Sequence, residues 1–318
     1  MRKVIGIDIS KASFDISYRQ KSGQFHHEKF SNDLHGFKLF KKHVSGEDVC
    51  VMEASGPYYS KLSYYLYEQQ IKVAIVNPLQ IKHFVRMRMV KAKTDKKDAQ
   101  MIAIYGEREQ PELWIPDHPH ISKLQQLHTA IEGLHKQSSV LVNQLEAFKQ
   151  HPDKDTELCK VLKSLQRSIS LKIVKLEKRM TEITLTHYEN TFIALKSIPG
   201  IGDKTAIMLI AVTNNFTKFS SSKKLSAYVG LTPRVYESGT SIKGKGHITK
   251  MGNRHVRKLL YMCSWTAKRN NQQCKQMYDR LKERGKPEKL IKIAIANKLL
   301  RQAFGVGKTH LHYQNNFC

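Results

Sequence analysis

The sequence predicts an α/β N-terminal domain over residues 1–118, a long helical hairpin or coiled-coil spacer over 119–190, and a mainly α-helical, basic C-terminal domain over 191–318. Three observations carry this division. The chain opens with short apolar runs of strand character, followed by alternating helical and strand-like segments. Residues 121–190 hold Gly133 and Pro152 as their only breakers and carry apolar residues at three-to-four spacing. The charge is uneven: of a formal net charge of +27, roughly +19 falls in 191–318, with about 24 basic against 5 acidic side chains. At 318 residues the chain exceeds a comfortable single core, which independently favours more than one domain.

In order, KVIGIDI (3–9), SFDISYR (13–19) and QFHHEKF (24–30) read as strands, with KSG at 21–23 turning the second into the third. A helical stretch follows Asn32, then a buried strand at 48–53 (DVCVME), a helix from near Pro57, a strand at 72–76 (KVAIV), and a basic helical segment after Pro78. A meander leading into alternating helix and strand is the order of an RNase H-like sheet, in which the first and fourth strands are neighbours. DKKDAQMIAIYGE then reads as a helix that Thr94 or Asp95 can cap.

In the spacer, Leu124, Leu127, Ile131 and Leu134, then Leu162, Leu165, Ile169, Ile173 and Leu176, mark two amphipathic helices broken near His151-Pro152-Asp153. Such a hairpin spaces domains or dimerises. Beyond it, IPGIGDKTAIMLIAV (198–212) resembles a helix-hairpin-helix element. Gly200 and Gly202 would let backbone amides, with Lys204 beside them, approach a phosphate at a helix start. GVGKT at 305–309 is not a P-loop, because the required first glycine is replaced by Gln302. PEKLIKIAIANKLLRQAF, near the C-terminus, reads as a basic helix.

Composition narrows the partners. A chain with 54 Lys+Arg against 27 Asp+Glu repels itself unless a polyanion absorbs the charge, so nucleic acid leads. No apolar stretch approaches the ~18–20 residues of a membrane span, and MRKVIGIDIS runs into Asp8 where a signal peptide would continue apolar. No membrane partner and a cytoplasmic, nucleoid-associated location are therefore expected. Cys50, Cys159, Cys263, Cys274 and Cys318 are an odd number without a C-x-x-C pair, which argues against a disulfide framework and a zinc site.

Two groups of residues carry chemistry. Asp8 and Glu53 each close a short apolar run, while Asp95 and Asp98 share one face at a helix start. A sheet can gather such carboxylates as ligands for two metal ions about 3.5–4 Å apart, the arrangement used for in-line phosphoryl transfer. Taken alone, Asp95 and Asp98 read equally as a helix start with favourable dipole placement. The second group lies in GLTPRVYESGTSIKGKGHITKMGNRHVRKLL (230–260), where Ser238, Thr240 and Ser241 sit among Arg234, Lys243, Lys245, His247, Lys250, Arg254 and Arg257. A serine hydroxyl needs a base, a metal or cations to act as a nucleophile, and this loop supplies cations. The plainer reading of the same loop is a glycine-rich phosphate-binding segment with solvated serines.

The ordered set GIDISK, MEASGPY, KTDKKDA, SIPGIG, GLTPR, ESG and ITKMGNRHVRKLL resembles the DEDD-type transposases of the insertion sequence 110 family, which includes the Piv/MooV DNA invertases. The resemblance covers roughly residues 3–265 and rests on the order of the motifs. It implies a RuvC-like N-terminal domain whose Asp8, Glu53, Asp95 and Asp98 bind Mg²⁺ or Mn²⁺ as a pair of ions in the sense of a two-metal site, and a nucleophilic serine at Ser238, with Ser241 a near neighbour. It further implies DNA excision and insertion through a phosphoserine intermediate, a structured guide RNA, and a homodimer or homotetramer. Three alternatives stay open. A RuvC-type junction nuclease would use the same acids with water, a site-specific invertase would share the whole chemistry, and an architectural DNA-binding protein would use the acids structurally. A sugar-kinase or actin-like fold shares a first hairpin like GIDISKASFD but needs a second nucleotide-binding half, for which there is no glycine-rich counterpart.

Overall fold

The computed structural model describes residues 3–90, 94–234, 237–238, 242–243 and 247–315. The chain divides into two compact units, Met1–Pro116 and Asp117–Cys318. Each has its own apolar interior.

The first unit is built on a five-stranded mixed sheet of order β3-β2-β1-β4-β5. Its strands are β1 (Val4–Ile9), β2 (Ser13–Arg19), β3 (Phe25–Ser31), β4 (Val49–Glu53) and β5 (Lys72–Val76). β1, β2 and β3 form an antiparallel meander, and β1, β4 and β5 run parallel. Helices α1 (Leu34–Lys41), α2 (Tyr59–Glu68), α3 (Pro78–Met87) and α4 (Asp95–Glu109) complete it. Alternation along β1 sorts the two faces. Ile5, Ile7 and Ile9 join Phe14, Phe37, Phe40, Leu62 and Leu66 in one core. The opposite face presents Val4, Gly6 and Asp8 toward α4.

Gly6 decides how close α4 can lie. A Cβ on Gly6 would stand 2.2 Å from both the Ala103 amide nitrogen and the Ala99 carbonyl oxygen, a distance no side chain survives. On α4 itself, a Cβ on Gly106 would meet Val51 and Val4 at 2.6 and 2.7 Å. Paired glycines thus let the helix backbone rest directly on the sheet, and the start of α4 is carried toward the end of β1 where Asp8 sits. Asn77 caps α3 through the Leu79 amide, and Thr94 caps α4 through the Lys97 amide at 3.2 Å.

The second unit is mostly helical. α5 (Pro119–Lys149) and α6 (Thr156–Lys196) form an extended pair, separated by a break where Asp155 caps α6 through the Leu158 amide. Tyr188, at φ −139° and ψ 27°, interrupts α6 near its end. α7 (Asp203–Thr213) is buried from Thr205 to Thr213 and packs against α5, α6 and α9 (Arg254–Asn270). α8 (Ser222–Val229), the two-residue strands β6 (Pro233–Arg234), β7 (Glu237–Ser238), β8 (Ile242–Lys243) and β9 (His247–Ile248), α10 (Gln272–Glu283) and α11 (Glu288–Thr309) complete it. GVGKT lies within α11, where Gly307 packs on Phe216, so the segment cannot form a phosphate-binding loop.

Candidate active site

The parallel pairing of β1 with β4 aligns Ile7 with Met52, which places Asp8 and Glu53 side by side at the carboxyl ends of neighbouring strands. Asp98 and Asp95 enter from the first turn of α4. Asp98, Asp95 and Glu53 all stand close enough to act on Asp8. Asp8 is half-buried, and its pKa is pushed from 3.8 to about 6, first by desolvation and then by the charges of Asp98, Asp95, Glu53 and Asp15. Asp95 is open to solvent, whereas Asp98 and Glu53 are half-buried.

Asp15 is the acid that the sequence reading missed. It stands directly across from Asp8 in the β1–β2 ladder and on the same face, and it is almost fully buried. His27 Nε2 lies 2.8 Å from its Oδ1 and Lys29 Nζ 3.5 Å from its Oδ2. Lys29 also reaches Asp95 at 4.0 Å, so it joins the sheet acids to the helix acids. A signal existed in the sequence: Asp8 and Asp15 fall on one face if the turn between them is a hairpin closing on Ser10 and Ser13.

The donor set is entirely oxygen, and the charges of Asp98, Asp95, Glu53 and Asp15 add to burial in opposing the ionisation of Asp8. Hard divalent cations such as Mg²⁺ or Mn²⁺ fit such a set. The residues present therefore suit the metal that the sequence implied.

The second predicted centre lies in the other unit. Ser238 pairs with Ile242 across the β7–β8 ladder, and Glu237 pairs with Lys243. Lys245 and Ser241 fall outside the described residues. Arg234, Lys250 and Arg254 are exposed. Arg257 is engaged internally: its Nη1 donates to the Val229 carbonyl at 2.7 Å, closing the end of α8, and burial lowers its pKa. Lys204 is salt-bridged to Glu177 at 2.6 Å. Gly200, at φ +108°, lets the turn before α7 press on α9, since a Cβ there would stand 2.8 Å from Ala267 Cβ. Gly202 opens α7, and its amide faces the Cys263 sulfur. The two glycines thus have a packing role within the unit.

The two families of motifs coincide with two matched sequence profiles. The DEDD transposase profile of the IS110 group matches residues 5–150, a span containing all four acids. The Transposase IS116/IS110/IS902 family profile matches residues 193–279, a span containing Ser238 and the cations around it. The chain is 30% identical to the pilin gene-inverting protein of Moraxella lacunata over 95% of its own length and 94% of the relative's. The Moraxella bovis protein of the same name gives 30% identity over 95% and 94%. The transposase of insertion sequence element IS1328 of Yersinia enterocolitica gives 24% over 82% of each chain.

The chain belongs to the insertion sequence 110 family of DEDD transposases. It is a DNA transposase or recombinase. Membership accounts for the basic balance of this transposase, since its work requires contact with a polyanion. Family membership also brings divalent metal use, which the oxygen-rich cluster at Asp8 suits. Among the described residues, no helix of the transposase is long and apolar enough to cross a membrane.

Proposed function

We infer that this transposase cuts and rejoins DNA through a metal-dependent acidic tetrad, Asp8, Glu53, Asp95 and Asp98, and a covalent phosphoserine at Ser238. The observation that carries the reading is the convergence of the carboxylates on Asp8, whose ionisation they oppose. The 3-2-1-4-5 sheet order, with Asp8 on the central strand, supports an RNase H-like, RuvC-like assignment of the first unit. Bound Mg²⁺ or Mn²⁺, as two ions, would neutralise the scissile phosphate and orient it for in-line attack.

The chain's own residues do the rest. Asp8 and Glu53 fix the position of the phosphate from rigid strand ends, while Asp95 and Asp98 complete the ligand set from α4. The Ser238 oxygen gives up its proton and bonds to phosphorus, and the strand's 3′-oxygen leaves and takes a proton. A 3′-hydroxyl later attacks the phosphoserine, which releases the serine and reseals the backbone. The phosphodiester energy is conserved, so no nucleotide is consumed. Arg234, Lys243, Lys245, Lys250, Arg254 and Arg257, with the turn at Gly200, Gly202 and Lys204, are the proposed nucleic-acid contacts. Arg257 and the two glycines would contribute through the local structure they hold.

The reading extends to a structured guide RNA, which the family resemblance implies and with which the +27 charge agrees as it does with DNA, and to a homodimer or homotetramer. Val161, Leu171 and Val174, more than 60% exposed on α6, support self-association through the helical hairpin. Acids and serine lie in different units of the chain, and the proposal includes their joining in one site from different subunits. Site-specific inversion is the second reading, favoured by the full-length likeness to the Moraxella gene-inverting proteins.

Trapping the covalent complex on denaturing gels tests the chemistry. Wild type is expected to form a DNA adduct in Mg²⁺, and Ser238→Ala and Asp8→Asn are expected to form none. An adduct persisting in Ser238→Ala would remove that serine as nucleophile. Metal-dependent cleavage without any adduct would point to a junction nuclease, and no cleavage by wild type on any substrate would favour an architectural protein.

A further inference from the structure

A second cluster of metal-ligating side chains lies in the second unit, remote in sequence from the acidic tetrad. His128 and Glu132 are four residues apart on α5 and so share a face. His255 enters from the first turn of α9, which Asn253 fixes by accepting from the His255 and Val256 amides at 3.0 and 3.1 Å. One ligand atom from each of the three residues lies within 4.8 Å of the others. Glu132 Oε2 stands 2.9 Å from His255 Nδ1, and the two imidazole rings meet edge to face at 5.4 Å.

The 2.9 Å contact between Glu132 and His255 accounts for two of the three groups. It leaves His128 unexplained. The Nε2 of His128 is buried and has no hydrogen-bond partner. A buried imidazole nitrogen without a partner costs about 1–3 kcal/mol, so a well-formed protein keeps one only where something else satisfies it. All three residues also line a cleft of about 770 Å³, which gives the cluster a route to solvent.

The geometry points to a binding site for a borderline divalent transition metal of the zinc class, held by His128, Glu132 and His255. Two imidazoles and one carboxylate are a donor set this class favours over Mg²⁺, and three protein ligands leave a fourth position open toward the cleft. Lys136, Lys178, Lys204, Arg254 and Lys258 line the same cleft, so an anionic group is the expected fourth ligand. The absence of paired cysteines did not bear on this site, because its ligands are histidine and glutamate from distant segments. Bound metal would tie α5 to the start of α9, the helix that follows the basic serine loop, and so act as a positioning element for that loop.

The full-length protein tests this in an Asp8→Asn, Glu53→Gln background, where binding at the acidic cluster is suppressed. After chelator treatment, Co²⁺ titration is expected to give one equivalent of binding with visible absorption bands, abolished by adding His128→Asn and His255→Asn. Zn²⁺ at about a hundredfold excess over its Kd is expected to raise the melting temperature of the second unit by about 5–10 °C, and not in the protein that also carries His128→Asn and His255→Asn. Circular dichroism in chelator checks that the variant folds. If it does not, the single His128→Gln change replaces it, with at least a tenfold weaker Co²⁺ affinity expected. Unchanged Co²⁺ spectra on adding the histidine substitutions, or no binding by the Asp8→Asn, Glu53→Gln protein with both histidines in place, would overturn the assignment.

Discussion

Replacing Asp8 by asparagine should stabilise the first unit while removing activity. Burial desolvates the Asp8 carboxylate, Asp98, Asp95, Glu53 and Asp15 add their charges, and its pKa rises from 3.8 to about 6. That displacement corresponds to about 3 kcal/mol against the folded state. Asp8 is only half-buried, so solvent screening brings the expected penalty to about 1–2 kcal/mol. The sign follows from linkage. Between pH 3.8 and about 6 the folded state binds the proton that the unfolded chain has released, so stability falls as pH rises through this window. Above pH 6 the penalty is complete, and below about pH 4 it vanishes. Asp8→Asn should therefore gain about 1–2 kcal/mol at pH 7.5 in chelator and almost nothing at pH 4. Trp114, which packs at 5.2 and 6.0 Å against Tyr64 and Tyr67, reports unfolding of this unit by fluorescence in a Trp265→Phe background. Mg²⁺ should narrow the gap by stabilising only the protein that retains Asp8. Equal stability at pH 7.5, or the same gain at both pH values, would refute the combined burial and charge crowding of Asp8.

Further outcomes follow from the same geometry. Gly6→Ala places a methyl 2.2 Å from the backbone of α4, so it should cost at least about 1–3 kcal/mol and displace Asp95 and Asp98; wild-type stability and cleavage would disprove the close approach. Lys29→Met removes a cation 3.5 Å from Asp15 and 4.0 Å from Asp95, and calorimetry should show Mg²⁺ affinity rising by up to about fivefold at low salt. An unchanged or weaker affinity would mean that Lys29 does not compete with the metal. Burial pushes the Cys274 thiol up to about 12 and the Cys50 thiol higher still. With about one Cys274 in ten thousand ionised at pH 8, mass spectrometry should find both unmodified after brief alkylation of the native protein, and rapid labelling would contradict their burial.

Much of the candidate site was legible because its signals are local. Asp8 and Glu53 announce themselves by ending apolar runs, and those runs become adjacent parallel strands. The α4 start was readable from a capping threonine followed by acids, and Thr94 is the residue that caps. The break between the long helices was readable too, with α5 ending at Lys149 and α6 beginning at Thr156. Asp15 escaped notice because a single aspartate in a strand pattern carries no meaning until its cross-strand partner is known. His128, Glu132 and His255 escaped for a stronger reason: the first two and the third are brought together only by the packing of the second unit.

The glycine-rich turn at 198–202 shows the same division from another side. Its sequence suggests amides free to meet a phosphate, whereas the structure gives Gly200 a contact with Ala267 and turns the Gly202 amide toward Cys263. The sequence by itself determined which segments become strands and helices, the basic bias of the last third, and the family. Periodicity, caps and motif order are short-range and survive in one dimension. Tertiary structure alone decided that α4 lies against Gly6, that Asp15 and Lys29 enter the acidic cluster, and that two histidines and a glutamate converge beneath a basic cleft. Those facts depend on which side chains a packed interior leaves room for, and that is a property of the whole fold.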